Sequence, residues 1–284
     1  MNRILACIDA SSYATSVLDL TAWAAQRLNA GVEILHVVQR KDAVAARHDL
    51  SGAIGLGSKS ELLEELTRID EAEGKLARER GRILLSSAEQ RLRDAGVVSE
   101  VRQLHRHGGI VETIIEREAE ANLVVIGKRG ASSEFAADHI GSKIERVVRS
   151  SDKPVLVAPR EVIGLTGAVI AFDGSPAAAR AVEYVARSPL FSGLEVHLVM
   201  VGRSDERHRT QIEQAASRLS EQFSPITHLA EGHAEKAISD YMAARPQAIL
   251  VMGAYGHSPL RTLIVGSTTT TMIRTVHAPV LLIR

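Results

Sequence analysis

A single cysteine, Cys7, serves all 284 residues. No intrachain disulfide can form, and a lone thiol inside an apolar strand fits a reducing compartment. Net charge is also lacking: Lys plus Arg equal Asp plus Glu at 34 each, so no overall basic field gathers nucleic acid or an anionic membrane. No apolar run approaches the ~20 residues of a membrane span. Asp9 interrupts the first apolar stretch too early for a secretory leader. A cytoplasmic protein without nucleic-acid or membrane partners is therefore expected. No nucleophile, base and orienting group share a recognisable spacing, and no carboxylate pair recurs, so no catalytic residue is assigned.

What is present is a repeat. LVVIGKRG (123–130), IGSKIERVV (140–148) and KPVLVAP (153–159) return as ILVMGAYG (249–256), VGSTTTTMI (265–273) and APVLLIR (278–284). Each copy reads as a buried strand, a Gly-x-x-Gly turn, a Gly-Ser step opening a helix, and a closing strand introduced by proline. A glycine turn leading to a helix N-terminus presents backbone N–H groups to an anion, which points to a phosphate ligand. The copies extend upstream: Ile4–Asp9 aligns with Val169–Asp173, and Glu33–Val37 aligns with Glu195–Val199. Asp9 and Asp173 lie 164 residues apart but Gly127 and Gly253 only 126, so the first copy holds 38 additional residues. So long a period means duplicated domains, because solenoid units repeat at about 20 to 50 residues.

Short Val/Ile/Leu runs alternating with helix-period segments predict a parallel sheet covered on both faces. Strands are expected at about 2–8, 32–38, 98–104, 123–126 and 155–158 of the first copy, with helices ending near Asn29 and covering about 109–121 and 142–150. Residues 60–95 carry Leu and Ile at helical spacing amid mixed charge and read as one long or broken helix. The second copy repeats this plan with a helix at about 204–222, and Glu161–Thr166 links the halves. The domains are set at 1–160, with a helical insertion at about 41–75, and at 161–284.

Some patterns imitate chemistry. Gly52 to Ser60 is nearly a P-loop, but Ser58 displaces the lysine and no strand precedes it, so a hinge before the long helix is the reading. His105 and His107 stand at i and i+2 on one face of a strand, a metal pair only if a third ligand joins them. His36 and His197 are assigned to packing or a hydrogen bond. Lys128 and Arg129 could meet phosphate or simply be solvated on their loop.

The Asp that ends the first strand, joined to Gly-x2-Gly-x9-Gly-Ser after the fourth, resembles the universal stress protein family, here as a tandem of two domains. Asp173, Gly253, Gly256, Gly266 and Ser267 match the pattern, whereas ten residues separate Gly130 from Gly141 and Ser142 in the first half. The resemblance implies Rossmann-like, doubly wound α/β domains of the adenine nucleotide alpha hydrolase type, with strand order 3-2-1-4-5. It also implies a pseudo-dimer through the last strands, Val155–Val157 and Val280–Ile283. ATP, with or without Mg, is the implied ligand. On that pattern Asp173 faces a ribose hydroxyl, the backbone at Val199 meets adenine, Gly253 and Gly256 approach phosphate, and Gly266, Ser267 and Thr268 donate at the helix N-terminus. Asp9, Val37, Gly127, Gly130, Gly141 and Ser142 form the corresponding first-half set. Taken singly, the glycines could be plain turns and the serines plain N-caps. An ATP-binding stress or regulatory protein is expected, chiefly through its second half. A slow metal-dependent ATPase and a nucleotide-free interaction scaffold are the alternatives, and a further homodimer is open.

Overall fold

The computed structural model describes residues 2–38, 56–130, 142–254 and 267–284. The first half contains β1 (Arg3–Cys7), α1 (Ala14–Leu28), β2 (Gly31–Val38), α2 (Leu56–Asp94), β3 (Val101–His107), α3 (Ile110–Glu118), β4 (Leu123–Gly127), α4 (Ser142–Ser150) and β5 (Val155–Ala158). The second contains β6 (Gly167–Phe172), α5 (Pro176–Arg187), β7 (Glu195–Val201), α6 (Glu206–Leu219), β8 (Ile226–Ala230), α7 (Ala234–Ala243), β9 (Ala248–Gly253), α8 (Ser267–Thr275) and β10 (Val280–Ile283). A short 3-10 turn at Pro189–Phe191, unforeseen in the sequence, follows α5.

The ten strands of the described residues form one sheet in the order β3-β2-β1-β4-β5-β10-β9-β6-β7-β8. Each half thus runs 3-2-1-4-5, and the expected pseudo-dimer is present. Every pairing is parallel except β5 with β10, where Val157, Leu156 and Val155 oppose Val280, Leu281 and Leu282. Two last strands that would each leave an open edge cover one another.

Because the central strands are apolar on both sides, helices pack on both faces. Ile4, Ala6 and Ile8 of the first strand region point to the layer of α1, α2, α5 and α6, whereas Leu5 points to that of α3, α4, α7 and α8. Ser175 starts α5, accepting from the Ala178 N–H with Pro176 at the first helical position, and Asp205 starts α6 in the same way. Cys7 is the free thiol expected; burial first, then the charges of Glu33 and Glu118, push its pKa up. No helix among the described residues is long and apolar enough to cross a membrane.

The long-helix expectation holds as one unbroken α2 of 39 residues. Its C-terminal part packs through Leu85, Ala88 and Leu92. Gly57 to Ser60 of the false P-loop lie in its first turn, while Gly52 and Gly55 fall outside the described residues, as does the expected hinge.

Candidate functional site

The first strand of each half ends at an acidic residue held in the same local turn. Asp9 Oδ1 accepts from the Ser11 N–H at 3.1 Å, and Asp173 Oδ1 from the Ser175 N–H at 2.9 Å. The side chain thereby turns the chain from strand to helix and stays beyond the carboxyl end of the strand, where open α/β sheets bind ligands. The fourth strand lies alongside: β1 pairs with β4 through Cys7 and Ile126, and β6 with β9 through Ala171 and Met252. The first-strand Asp and the end of the fourth strand are therefore neighbours in each half.

The glycines serve different contacts. A Cβ on Gly253 would stand 2.4 Å from the Ala177 carbonyl carbon and 2.7 Å from the Ala178 nitrogen, so this glycine lets the start of α5 press against the end of β9. Gly127 does the same for α1, where an added Cβ would meet Tyr13 Cβ at 2.8 Å. Both are demanded by helix-on-strand packing, whatever else approaches them. Gly130 differs, since a Cβ there would lie 2.7 Å from Asp9 Oδ2, and the glycine turn rests against the carboxylate. Asp9 is half-buried and Asp173 exposed.

Gly141, Gly256 and Gly266 lie outside the described residues. Ser142 and Ser267 open α4 and α8, as their place after the glycine step requires. Thr268 is in the first turn of α8, and its hydroxyl donates to Glu235 Oε1 at 3.0 Å, a contact of α8 with α7 that the sequence did not reveal.

Register corrects the pairing of Val37 with Val199. Arg3 sits level with Gly31 and Gly167 with Glu195, so each second strand lies 28 residues ahead of the first, and the residue equivalent to Val37 is Val201. Val199 is wholly buried, flanked by Ala171 on β6 and His228 on β8, with both backbone edges inside the sheet. Val201 lies past Phe172, the last residue of β6, and like Val37 is partly buried. The sequence alignment slipped by two because β7 is apolar on both faces.

Lys128 is neither solvated nor aimed at the crevice. Its ammonium is buried and donates to the carbonyls of Arg274 at 2.7 Å, in the last turn of α8 in the other half, and of Val276 at 3.1 Å, just past its end. Burial, followed by the charge of Arg129, brings its pKa down to about 8. Reciprocally, Arg284 donates to the Ser151 carbonyl at 3.0 Å, just beyond α4. Each half caps the last helix of the other.

His105 and His107 stand together as the strand period foresaw, and His36 joins them. His36 and His105 rings stand 5.4 Å apart, as do those of His105 and His107. His105 lies against Gly81 of α2, and its pKa is lowered by burial first and then by His36 and His107. Among the described residues no group of three or more His, Cys, Asp or Glu is arranged to hold a metal. His197 is buried, with Nδ1 2.9 Å from the Tyr241 hydroxyl.

Comparison with known proteins agrees with this architecture. The model of the universal stress protein family matches residues 1–159 and 168–284. The universal stress protein Slr1230 of Synechocystis is 33% identical over 288 residues, covering 100% of both chains. The crystal structure of a universal stress protein from Archaeoglobus fulgidus superposes with a TM-score of 0.73 at 22% identity, covering 100% of this chain and 98% of that one. A Pseudomonas aeruginosa protein described as functionally unknown gives 0.63 at 18% identity, covering 100% and 92%. The duplicated glycine pattern, the shared sheet order and the matches over both halves place this chain in the universal stress protein family, as a tandem of two such domains.

Proposed function

We propose that the protein binds ATP or a related adenine nucleotide, chiefly in its second half, and serves as a cytoplasmic regulatory protein of the stress response. The observation that carries the reading is the juxtaposition of the first-strand Asp with the end of the fourth strand, beyond the strand ends, in a sheet whose order places those strands side by side. Asp173 is exposed there, whereas Asp9 is half-buried beneath Gly130, which favours the second half. The nine-residue spacing from Gly256 to Gly266 points the same way. One more residue, as between Gly130 and Gly141, turns a helix start by about 100° if absorbed as helix, and its N–H donors need contacts of roughly 2.7 to 3.2 Å. Asp173 is assigned to the ribose, and Gly253, Gly256, Gly266, Ser267 and Thr268 to the phosphate turn and helix start. The adenine edge is assigned to the backbone at Val201. Asp9, Val37, Gly127, Gly130, Gly141 and Ser142 form the weaker set.

Calorimetric titration with ATP, with and without Mg, tests this. Gly256→Val is expected to weaken binding more than Gly130→Val, because a branched side chain would stand in the phosphate path. Equal losses, or a greater loss from Gly130→Val, would overturn the preference. Absence of binding by the unsubstituted protein, together with no nucleotide released on denaturation, would leave the scaffold reading. Steady release of phosphate would instead select the slow ATPase.

A further inference from the structure

α2 is far longer than the strands it covers. At about 1.5 Å per residue its 39 residues reach about 58 Å, whereas the 7 residues of β3 span about 23 Å at 3.3 Å each. Among the residues of α2 whose side chains are described, buried ones occur only from Gly81 to Leu92, and residues 64–69 are exposed without interruption. A helix standing alone in water has no packing to stabilise it, and most helical stability comes from an apolar face that is covered.

Such a face is present. Ile69, Leu76 and Ile83 recur every seven residues, and Leu66 adds the intervening step; they are 46%, 49%, 55% and 38% exposed. They account for four of the seven large apolar side chains exposed among the described residues. A strict seven-residue repeat suits a left-handed helix pair, since it keeps one stripe against a partner helix. Charge divides along the same length. Glu64, Glu65, Glu71 and Glu73 lie on the N-terminal side, and Lys75, Arg78, Arg80 and Arg82 on the C-terminal side, all exposed. Arg68 and Glu79 are the exceptions, and each pairs within the helix, with Glu65 and Arg82 respectively.

We infer that residues 64–83 of α2 dock antiparallel on the same stretch of a second copy of this chain. In a parallel pair the acidic blocks would face one another and the basic blocks likewise. In the antiparallel pair each acidic block faces a basic one, around a two-fold axis near the boundary between Glu73 and Lys75. The contact is isologous and closes at two chains.

Sedimentation equilibrium of the full chain in the micromolar range tests the inference, with ATP titration and circular dichroism to show that each variant is folded. The unsubstituted protein is expected at twice the chain mass, and Ile69→Glu with Leu76→Glu at one. An all-basic variant (Glu64→Lys, Glu65→Lys, Glu71→Lys, Glu73→Lys) and an all-acidic one (Lys75→Glu, Arg78→Glu, Arg80→Glu, Arg82→Glu) should each be monomeric. Mixed, they should restore the doubled mass. A monomeric parent protein, a dimer that survives Ile69→Glu with Leu76→Glu, or a mixture that fails to pair would overturn the inference. A monomer with strong hydrogen-exchange protection over 64–83 would show instead that this chain's own residues cover the stripe.

Discussion

The two halves fill the same buried slot with different chemistry. By strand register Glu33 on β2 corresponds to His197 on β7, and they are 4% and 3% exposed. In the first half Arg117 of α3 forks onto Glu33 with two bonds of 2.8 Å, and Arg3 stands 3.9 Å away. In the second half Tyr241 of α7 meets His197, whose other ring nitrogen contacts Glu195 at 2.5 Å. The fold requires a polar pair at this place to be satisfied internally and does not prescribe its charge. What differs is the cost of breaking it. A buried carboxylate or guanidinium left alone is far more expensive than a lone hydroxyl or imidazole.

The comparison can be broken at three levels. The largest effect is expected from Glu33→Ala, which takes the buried carboxylate from Arg117 and leaves it only the exposed Glu120 that it shares with Arg3, and should lower stability by about 3–4 kcal/mol, against about 1 kcal/mol for Tyr241→Phe. Urea unfolding of both variants measures it, and equal losses would show that the ion pair carries no special weight. Next is the closeness of helix to strand. Gly253→Ala places a methyl 2.4 Å from the backbone of Ala177, which has no rotamer to yield, whereas Gly127→Ala meets Tyr13 Cβ at 2.8 Å. The former should cost about 3 kcal/mol, at the upper end for overpacking, and the latter about 1. The reverse order in thermal unfolding would refute this account of the two glycines.

The smallest effect concerns the crossed helix caps, where Lys128→Met frees two carbonyls and should cost about 1 kcal/mol at pH 7. Here pH sharpens the test. The folded pKa, about 8, is below the ordinary 10.5, so between these values the unfolded chain binds more protons and stability rises with pH through this group. The stability of the unsubstituted protein relative to Lys128→Met should therefore grow as pH rises from about 8 to about 10.5, a window set by the same shift. A difference that stays flat or shrinks would show that Lys128 is not the buried titrating group.

Much of the fold was legible because it rests on local regularities. The glycine pattern marked the ends of β4 and β9, apolar runs marked the strands, and Ser142 and Ser267 marked the starts of α4 and α8. The first-strand Asp residues were legible too, since an acidic side chain directly after an apolar strand has few local roles. The meeting of β5 with β10 was implied by the family resemblance, and it suits two short apolar strands that would otherwise end each sheet in an open edge.

By itself, then, the sequence determined the duplication, the alternation of strand and helix, and the place of the crevice, all features written in residues near one another in the chain. Only the tertiary structure decided that Val201 and not Val199 is level with Val37, because a strand buried on both faces has no polar alternation to fix its register. It alone sent Lys128 across to the end of α8, joined Glu33 to Arg117 across 84 residues, and left residues 64–69 of α2 exposed. Those outcomes depend on which buried group finds which partner at long range, and no local pattern of residues carries that information.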